Sequence, residues 1–425
     1  FKINDLNQYS NDSEIYSSAS HNAYRTRLGF THKREIRINK LKDAVLGTDY
    51  LFNKINQQKL ALRQSGEDVI DLGYGNPDIP SHELVVEKLI ESAQIKKNHK
   101  YSVSKGIHGL RNAIANKYLR EYEINLDPSK NIVNTIGSKE GLTHLLMSIL
   151  NKGDNVVVQD PSYPIHHYAP LIAGANVIKI ECLSSENFLN NLNTTLTSQK
   201  VKAVLVSFPH NPTTLTVNQE FYDELVGLAR RYNFLIINDF AYSDIYFNEE
   251  KPPSLLNSDP QFDHTVELYS LTKGYSMAGW RVGFAVGNES AISSLTKLKS
   301  YIDYGTFQPI QIASTVAINE LDDYPKEVSS IYQDRKILAE EYLTKYGFEV
   351  YKSTATMFLW AKLPEIYKND SMKFSIDLLS KSNVAVSPGV GFGNCGEGHI
   401  RLALVENKQR IRQAMKNFSK IIDSV

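Results

Sequence analysis

The sequence predicts an α/β fold, with a large domain built on a mostly parallel sheet between two helical layers (αβα) and a small α+β domain. Three observations carry this. Short apolar runs recur at Ile132-Val133, Val156-Val157-Val158, Val177–Ile180, Ala203–Val206 and Phe234–Ile237. Several are β-branched and continuous rather than alternating, as in strands buried on both faces. Helical periodicity separates some of them, at Glu140–Leu150 and Phe221–Tyr232. Beyond about Leu321, long amphipathic stretches flank only short strands, so the pattern changes.

Taken in order, residues 1–35 are polar and aperiodic and read as an N-terminal arm or tail. Residues 36–72 are expected to join the small domain, because chain ends commonly lie close together. A turn-rich Gly73-Tyr74-Gly75-Asn76-Pro77-Asp78 precedes a helix from about Ser81 to Ala93. Leu110, Ala113, Ile114 and Tyr118 give helical spacing to Gly109–Tyr122. The strand runs follow, and residues 73–320 form the large domain. The small domain takes 321–425, with helices at Pro325–Tyr346, Ser371–Lys381 and Asn407–Ser424. Its strands are expected at Met357–Ala361, Val384–Ser387 and His399–Leu404.

Composition excludes several functions. Lys plus Arg equals Asp plus Glu at 47 each, which argues against a nucleic-acid stripe. The two cysteines, Cys182 and Cys395, are far apart and form neither a zinc ribbon nor a disulfide scaffold. No run approaches the roughly 18 apolar residues of a membrane span. The first residues lack the apolar core of a secretory signal, and Asp5, Asp12 and Glu14 disfavour a transit peptide. These features read as a cytoplasmic, reducing-compartment enzyme. His166 and His167 suggest a metal, but adjacent helical residues diverge and no carboxylate sits at a matching offset. No metal is expected.

In such sheets ligands gather beyond the carboxyl ends of the strands. After the first run comes Gly137-Ser138-Lys139-Glu140, opening a helix whose free N–H groups attract phosphate; alone it is an ordinary cap. Later runs are followed by Asp160-Pro161-Ser162-Tyr163-Pro164, by His210-Asn211-Pro212-Thr213 and by Asp239-Phe240-Ala241-Tyr242. Each of these has a plain structural reading as a turn or cap. Ser270-Leu271-Thr272-Lys273-Gly274-Tyr275 then sets a lysine among small hydroxyl residues, with Arg281 eight positions on. A lysine that forms imines needs burial or cationic neighbours. An arginine with two hydroxyls can bind a phosphate dianion.

This ordered set resembles the fold-type I aminotransferases of class I/II, which use pyridoxal 5'-phosphate. Further matching segments are Tyr101-Ser102, Gly109-Leu110-Arg111 and Ser387-Pro388-Gly389 with Arg401. Gly137–Leu142, Ser162–His166 and Lys299–Phe307 resemble the alanine (glutamate–pyruvate) and diaminopimelate aminotransferase branch most. The resemblance implies that Lys273 holds the cofactor as an internal aldimine and then moves the proton. It implies that Asp239 pairs with the pyridinium nitrogen, Asn211 and Tyr242 bond the phenolic oxygen, and Tyr163 stacks on the ring. Ser138, Lys139 through its backbone, Ser270, Thr272 and Arg281 would hold the phosphate. Tyr101 would reach the phosphate site of a second subunit in a homodimer with shared sites. Arg401, with Asn211 and the backbone near Gly75, would clamp the substrate carboxylate.

The expected reaction moves an amino group from an L-amino acid, with alanine as a candidate, to a 2-oxo acid such as 2-oxoglutarate or pyruvate. The same lysine, aspartate and arginine also serve elimination, C–C bond formation or oxidation, and a non-catalytic binding protein is a third reading. Two departures stand out. Gly274, following the lysine, is expected to loosen that turn, and Tyr74 adds a phenol on the substrate side.

Overall fold

The computed structural model describes residues 51–249, 251–367 and 369–422. The expected arm at 1–35, and 36–50 of the next segment, lie outside the described residues. Helix α1 (Leu51–Gln64) leads into β1 (Ile70–Asp71), and α2 (Glu83–Ala93) and α3 (His108–Tyr122) follow. Then come β2 (Ile132–Thr135), α4 (Ser138–Ile149), β3 (Asn155–Asp160), α5 (Pro164–Ile172), β4 (Asn176–Glu181), α6 (Ser185–Ser198), β5 (Ala203–Val206), α7 (Gln219–Tyr232) and β6 (Leu235–Asp239). Strands β7 (Thr265–Ser270) and β8 (Gly283–Gly287) complete a seven-stranded sheet in the order β2-β8-β7-β6-β5-β3-β4.

All pairings in this sheet are parallel except those of β8, which runs against both β2 and β7. Register decides where the chemistry falls. Val206 pairs with Asn238 and Asp239 with Leu268, so Ser207, Asp239 and Ser270 emerge at one edge. Gly283 pairs with both Ser270 and Thr135, which brings the turns around Arg281 and Gly137 to the same edge.

Helix α7 illustrates the local logic. Phe221, Leu225 and Ala229 recur at helical spacing and are buried. Asn218 caps it by accepting from Phe221 N–H, and Asn233 ends it in the left-handed region at φ 55°. Losing such an N-cap costs about 1 kcal/mol. Helix α5 is anticipated only in the helical reading of His166 and His167, and α6 not at all. Pro164 and Pro170 punctuate α5, and α6 is rich in Asn and Thr, which are poor helix formers. Burial of Phe188, Leu192 and Leu196 overrides that propensity.

After α8 (Glu289–Ile302) and α9 (Gln308–Glu320), α10 (Tyr324–Lys345) precedes β9 (Glu349–Val350) and β10 (Phe358–Lys362). Next are α11 (Ser371–Ser382), β11 (Val384–Ala385), β12 (Ser387–Pro388), β13 (His399–Ala403) and α12 (Lys408–Ile422). The strand expected over Val384–Ser387 divides at Val386. Strand β11 pairs in parallel with β1, Ile70 against Val384, while β12 joins a second sheet in the order β12-β13-β10-β9. A separate core of Tyr332, Leu343, Phe358, Leu402 and Phe418 packs this sheet against α10, α11 and α12. Among the described residues no helix is long and apolar enough to cross a membrane.

Candidate active site

A cavity of about 510 Å³ lies at the common strand edge, closed on its far side by Phe358, Ser387, Phe392 and Arg401. Every site residue foreseen from the sequence lines it except Tyr101. Tyr101 is 88% exposed, its ring 5.2 Å from that of Tyr304.

Lys273 lies three residues beyond β7. Its Nζ donates to Gly75 O at 3.1 Å and stands 5.7 Å from the Tyr242 ring centre. Desolvation, then the charges of Arg401 and Arg281, push its pKa down to about 7, against the opposing pull of Asp239. A neutral amine is thus accessible near neutral pH, which a carbonyl-attacking lysine needs. Gly274 does not loosen the turn. It is buried, and a Cβ there would stand 2.5 Å from the Asp244 Cβ. Asp244 is itself held by Lys117, 3.2 Å away, and by the Tyr269 hydroxyl. The missing side chain lets the lysine turn pack directly on this buried charged group.

Asp239, at the end of β6, has two unlike oxygens. Oδ2 lies 2.9 Å from His166 Nε2, whereas Oδ1 is buried and has no hydrogen-bond partner. The Ser207 hydroxyl donates to the Asp239 carbonyl at 3.0 Å and steadies the strand end. His166 is a functional neighbour the sequence reading missed. It is 73 residues from Asp239, and no spacing connects them. Its neighbour His167 turns away to Ser162, 3.0 Å distant.

Gly137 precedes α4 at φ 77° with no side-chain cap, so the N–H groups of the first turn are open to an anion. A Cβ at Gly137 would fall on the Arg281 guanidinium, so this arginine lies directly over the helix entrance. Ser270 Oγ donates to Thr272 Oγ1 at 2.7 Å, setting two hydroxyls beside it. Together these make a cradle for a dianion. The exposed Lys139 ammonium stands 5.6 Å from the half-buried Tyr163 ring. Burial raises the pKa of the Tyr163 phenol and, further, that of Tyr242, so both stay protonated donors.

Arg401, on β13, closes the opposite wall. It donates to Asn211 Oδ1 at 2.7 Å and to Gly73 O at 2.8 Å, between the rings of Phe358 and Phe392 at 4.2 and 4.6 Å. Held this way, a guanidinium is preorganised for a carboxylate. Among the described residues one set of possible metal ligands converges, Glu140, His144 and Asp303, and none of them lines the cavity. The buried Lys299 Nζ lies 2.9 Å from both carboxylates and already supplies the positive charge there.

A lysine amine, an acceptor for a protonated ring nitrogen, an anion cradle and a guanidinium around one cavity define a pyridoxal-phosphate enzyme site. Comparison with known proteins agrees. The family model "Aminotransferase class I and II" matches residues 67–418. Glutamate-pyruvate aminotransferase AlaC of Escherichia coli K12 is 42% identical over 370 residues, covering 86% of this chain and 90% of its own. LL-diaminopimelate aminotransferase of Aquifex aeolicus is 36% identical, covering 88% and 96%. The solved aspartate aminotransferase of Thermotoga maritima superposes with a TM-score of 0.81 at 30% identity, covering 88% and 97%. The chain belongs to the class I and II aminotransferases. As such it is a pyridoxal-phosphate-dependent enzyme, and the rival readings of elimination, C–C bond formation, oxidation or mere binding are not favoured.

The residues fit the cofactor. The unpartnered, buried Asp239 Oδ1 is the observation that tests it, because a pyridinium N–H is the donor that atom lacks.

Proposed function

We propose that this site transfers the amino group of an L-amino acid, with alanine as the leading donor, to a 2-oxo acid such as 2-oxoglutarate or pyruvate. One relationship carries the reading: Lys273 and Arg401 both bond to one short backbone segment, through Gly75 O and Gly73 O. An amino acid whose carboxylate sits on Arg401 then presents its Cα towards Lys273. The name of the AlaC relative supports alanine as donor.

Pyridoxal phosphate, when bound, supplies the electron sink that stabilises negative charge at the substrate Cα. The chain supplies the rest. Arg281, Ser138, Ser270, Thr272 and the Lys139 N–H hold the phosphate. Asp239, steadied by His166, keeps the ring nitrogen protonated. Asn211 and Tyr242 would bond the ring oxygen, and Tyr163 would stack on the ring. Arg401 fixes the substrate so that the bond to be broken faces Lys273, whose amine would take the Cα proton and would deliver it across the intervening nitrogen, to the cofactor's carbonyl carbon.

The exposed Tyr101, Val103, Tyr301 and Tyr304 favour a second copy of the chain as partner, with Tyr101 entering the other copy's phosphate site. Two free thiols fit a cytoplasmic enzyme of amino-acid biosynthesis. The function is tested by mixing holoenzyme with L-alanine and no acceptor. One equivalent of pyruvate per site is expected, then nothing until 2-oxoglutarate is added. Ammonia release or repeated turnover without acceptor contradicts it.

A further inference from the structure

The segment 71–78 bonds to both Arg401 and Lys273, yet it has little structure of its own. Its one internal backbone bond runs from Asn76 N–H to Tyr74 O at 2.8 Å. Gly73 and Gly75 carry no side chain, and a Cβ at Gly75 would stand 2.9 Å from the Phe358 ring. At these positions the segment therefore meets the site through its carbonyls. Leu72 is held by backbone bonds, its N–H donating to Ala385 O at 2.9 Å and its carbonyl accepting from Ala403 N–H at 2.7 Å. Gly73 O also accepts from the Ser387 hydroxyl at 2.8 Å. Ion pairs at the two ends act together with these bonds and matter most for residues 74–78.

Both ends are fixed by charge. At the first, Asp71 Oδ2 lies 2.5 Å from Lys59 Nζ on α1, while Oδ1 accepts from the N–H groups of Gly73 and Tyr74 at 3.0 and 3.3 Å. At the second, Arg335 on α10 grips Asp78 with two parallel bonds of 2.7 Å. The same guanidinium donates to Leu404 O at 2.8 Å, three residues beyond Arg401. One buried arginine thus ties the segment to the strand that carries the carboxylate-binding residue.

We propose that Asp71 and Asp78 are positioning residues for substrate binding: the ion pairs Lys59–Asp71 and Arg335–Asp78 pin segment 71–78, and its carbonyls set where Arg401 and Lys273 stand. This rests on the reading of Arg401 as the carboxylate site and Lys273 as the reacting amine. A bidentate arginine–carboxylate pair fixes direction as well as distance, which a single ammonium does not.

The test uses holoenzyme carrying Asp78→Asn, and separately Asp71→Asn. The probe is 2-methylalanine, an amino acid with no Cα proton to lose, titrated by the visible absorbance of the bound cofactor. Its dissociation constant and the KM for the amino donor are expected to rise on the order of tenfold. Cofactor occupancy and the absorbance of the resting enzyme are expected to stay at wild-type values. Asp78→Glu is expected to restore part of the affinity, whereas Arg335→Lys, which cannot make the fork, is expected to behave like Asp78→Asn. Variants that only melt earlier, with unchanged KM and probe affinity, overturn the positioning role. If Asp78→Asn does not fold, Lys59→Met tests the other anchor, with the same rise expected and an unchanged affinity overturning the proposal. A wild-type holoenzyme that binds no amino acid contradicts the proposed function itself, and the positioning role with it.

Discussion

His166 Nε2 stands 2.9 Å from Asp239 Oδ2, so the carboxylate proposed to face the cofactor's ring nitrogen is itself held by a buried imidazole. The histidine fixes which oxygen remains open. Replacing it with leucine removes a hydrogen bond to a charged group, worth about 1.5–3 kcal/mol. The expected outcome for His166→Leu is a kcat lower by about tenfold to a hundredfold, with the cofactor still bound. Steady-state kinetics beside cofactor absorbance checks this.

Gly137 leaves room for the Arg281 guanidinium over the α4 entrance. In Gly137→Ala a methyl group meets that guanidinium, at a backbone φ of 77° that alanine resists. Weaker cofactor binding is expected, by about tenfold or more given the worth of one charge-assisted contact. Titrating apo-variant with pyridoxal phosphate measures it, and the secondary structure is expected to be unchanged.

Arg401 makes its contacts through a planar fork. Arg401→Lys keeps the charge but loses that geometry. Its kcat/KM for the amino donor is expected to fall by about a hundredfold, carried mainly by KM. Equal donor affinity in the variant contradicts the assignment.

The Lys273 pKa, lowered to about 7 by burial and two arginines, has a consequence for stability. Between pH 7 and the ordinary lysine value the unfolded chain binds more protons than the folded one, so this group's contribution to stability rises with pH. Below pH 7 the folded protein carries the whole penalty of a poorly solvated ammonium. The apo form of Lys273→Met is therefore expected to melt higher than apo wild type below pH 7. That gap is expected to narrow from pH 7 towards pH 10. Thermal melts across that range read it, and a constant gap speaks against the lowered pKa.

Strand-end reading reached most of the cavity because the chemistry sits where parallel strands stop. Ser138, Tyr163, Asn211 and Asp239 each follow an apolar run visible in the sequence, whereas Ser270 and Lys273 stand out by their setting of small hydroxyl residues with Arg281 beyond. His166 was not legible, since its link to Asp239 depends on how α5 packs over the sheet edge. Asp78 reads in the sequence as part of a turn and Asp71 carries no signal, for the same reason: their partners Arg335 and Lys59 lie on helices elsewhere in the chain. Helix α6 was hidden by its Asn and Thr content until the burial of Phe188, Leu192 and Leu196 accounted for it. Gly274 was misread because Asp244, which fills the space of its absent side chain, lies thirty residues earlier in the chain.

Lys273 is the residue proposed to bond the cofactor. Reducing the holoenzyme with borohydride fixes that bond, and peptide mass analysis then locates it. One pyridoxyl group per chain is expected, on the peptide containing Lys273, with none formed in Lys273→Ala. A label on another cavity lysine, such as Lys139 or Lys59, would contradict the account.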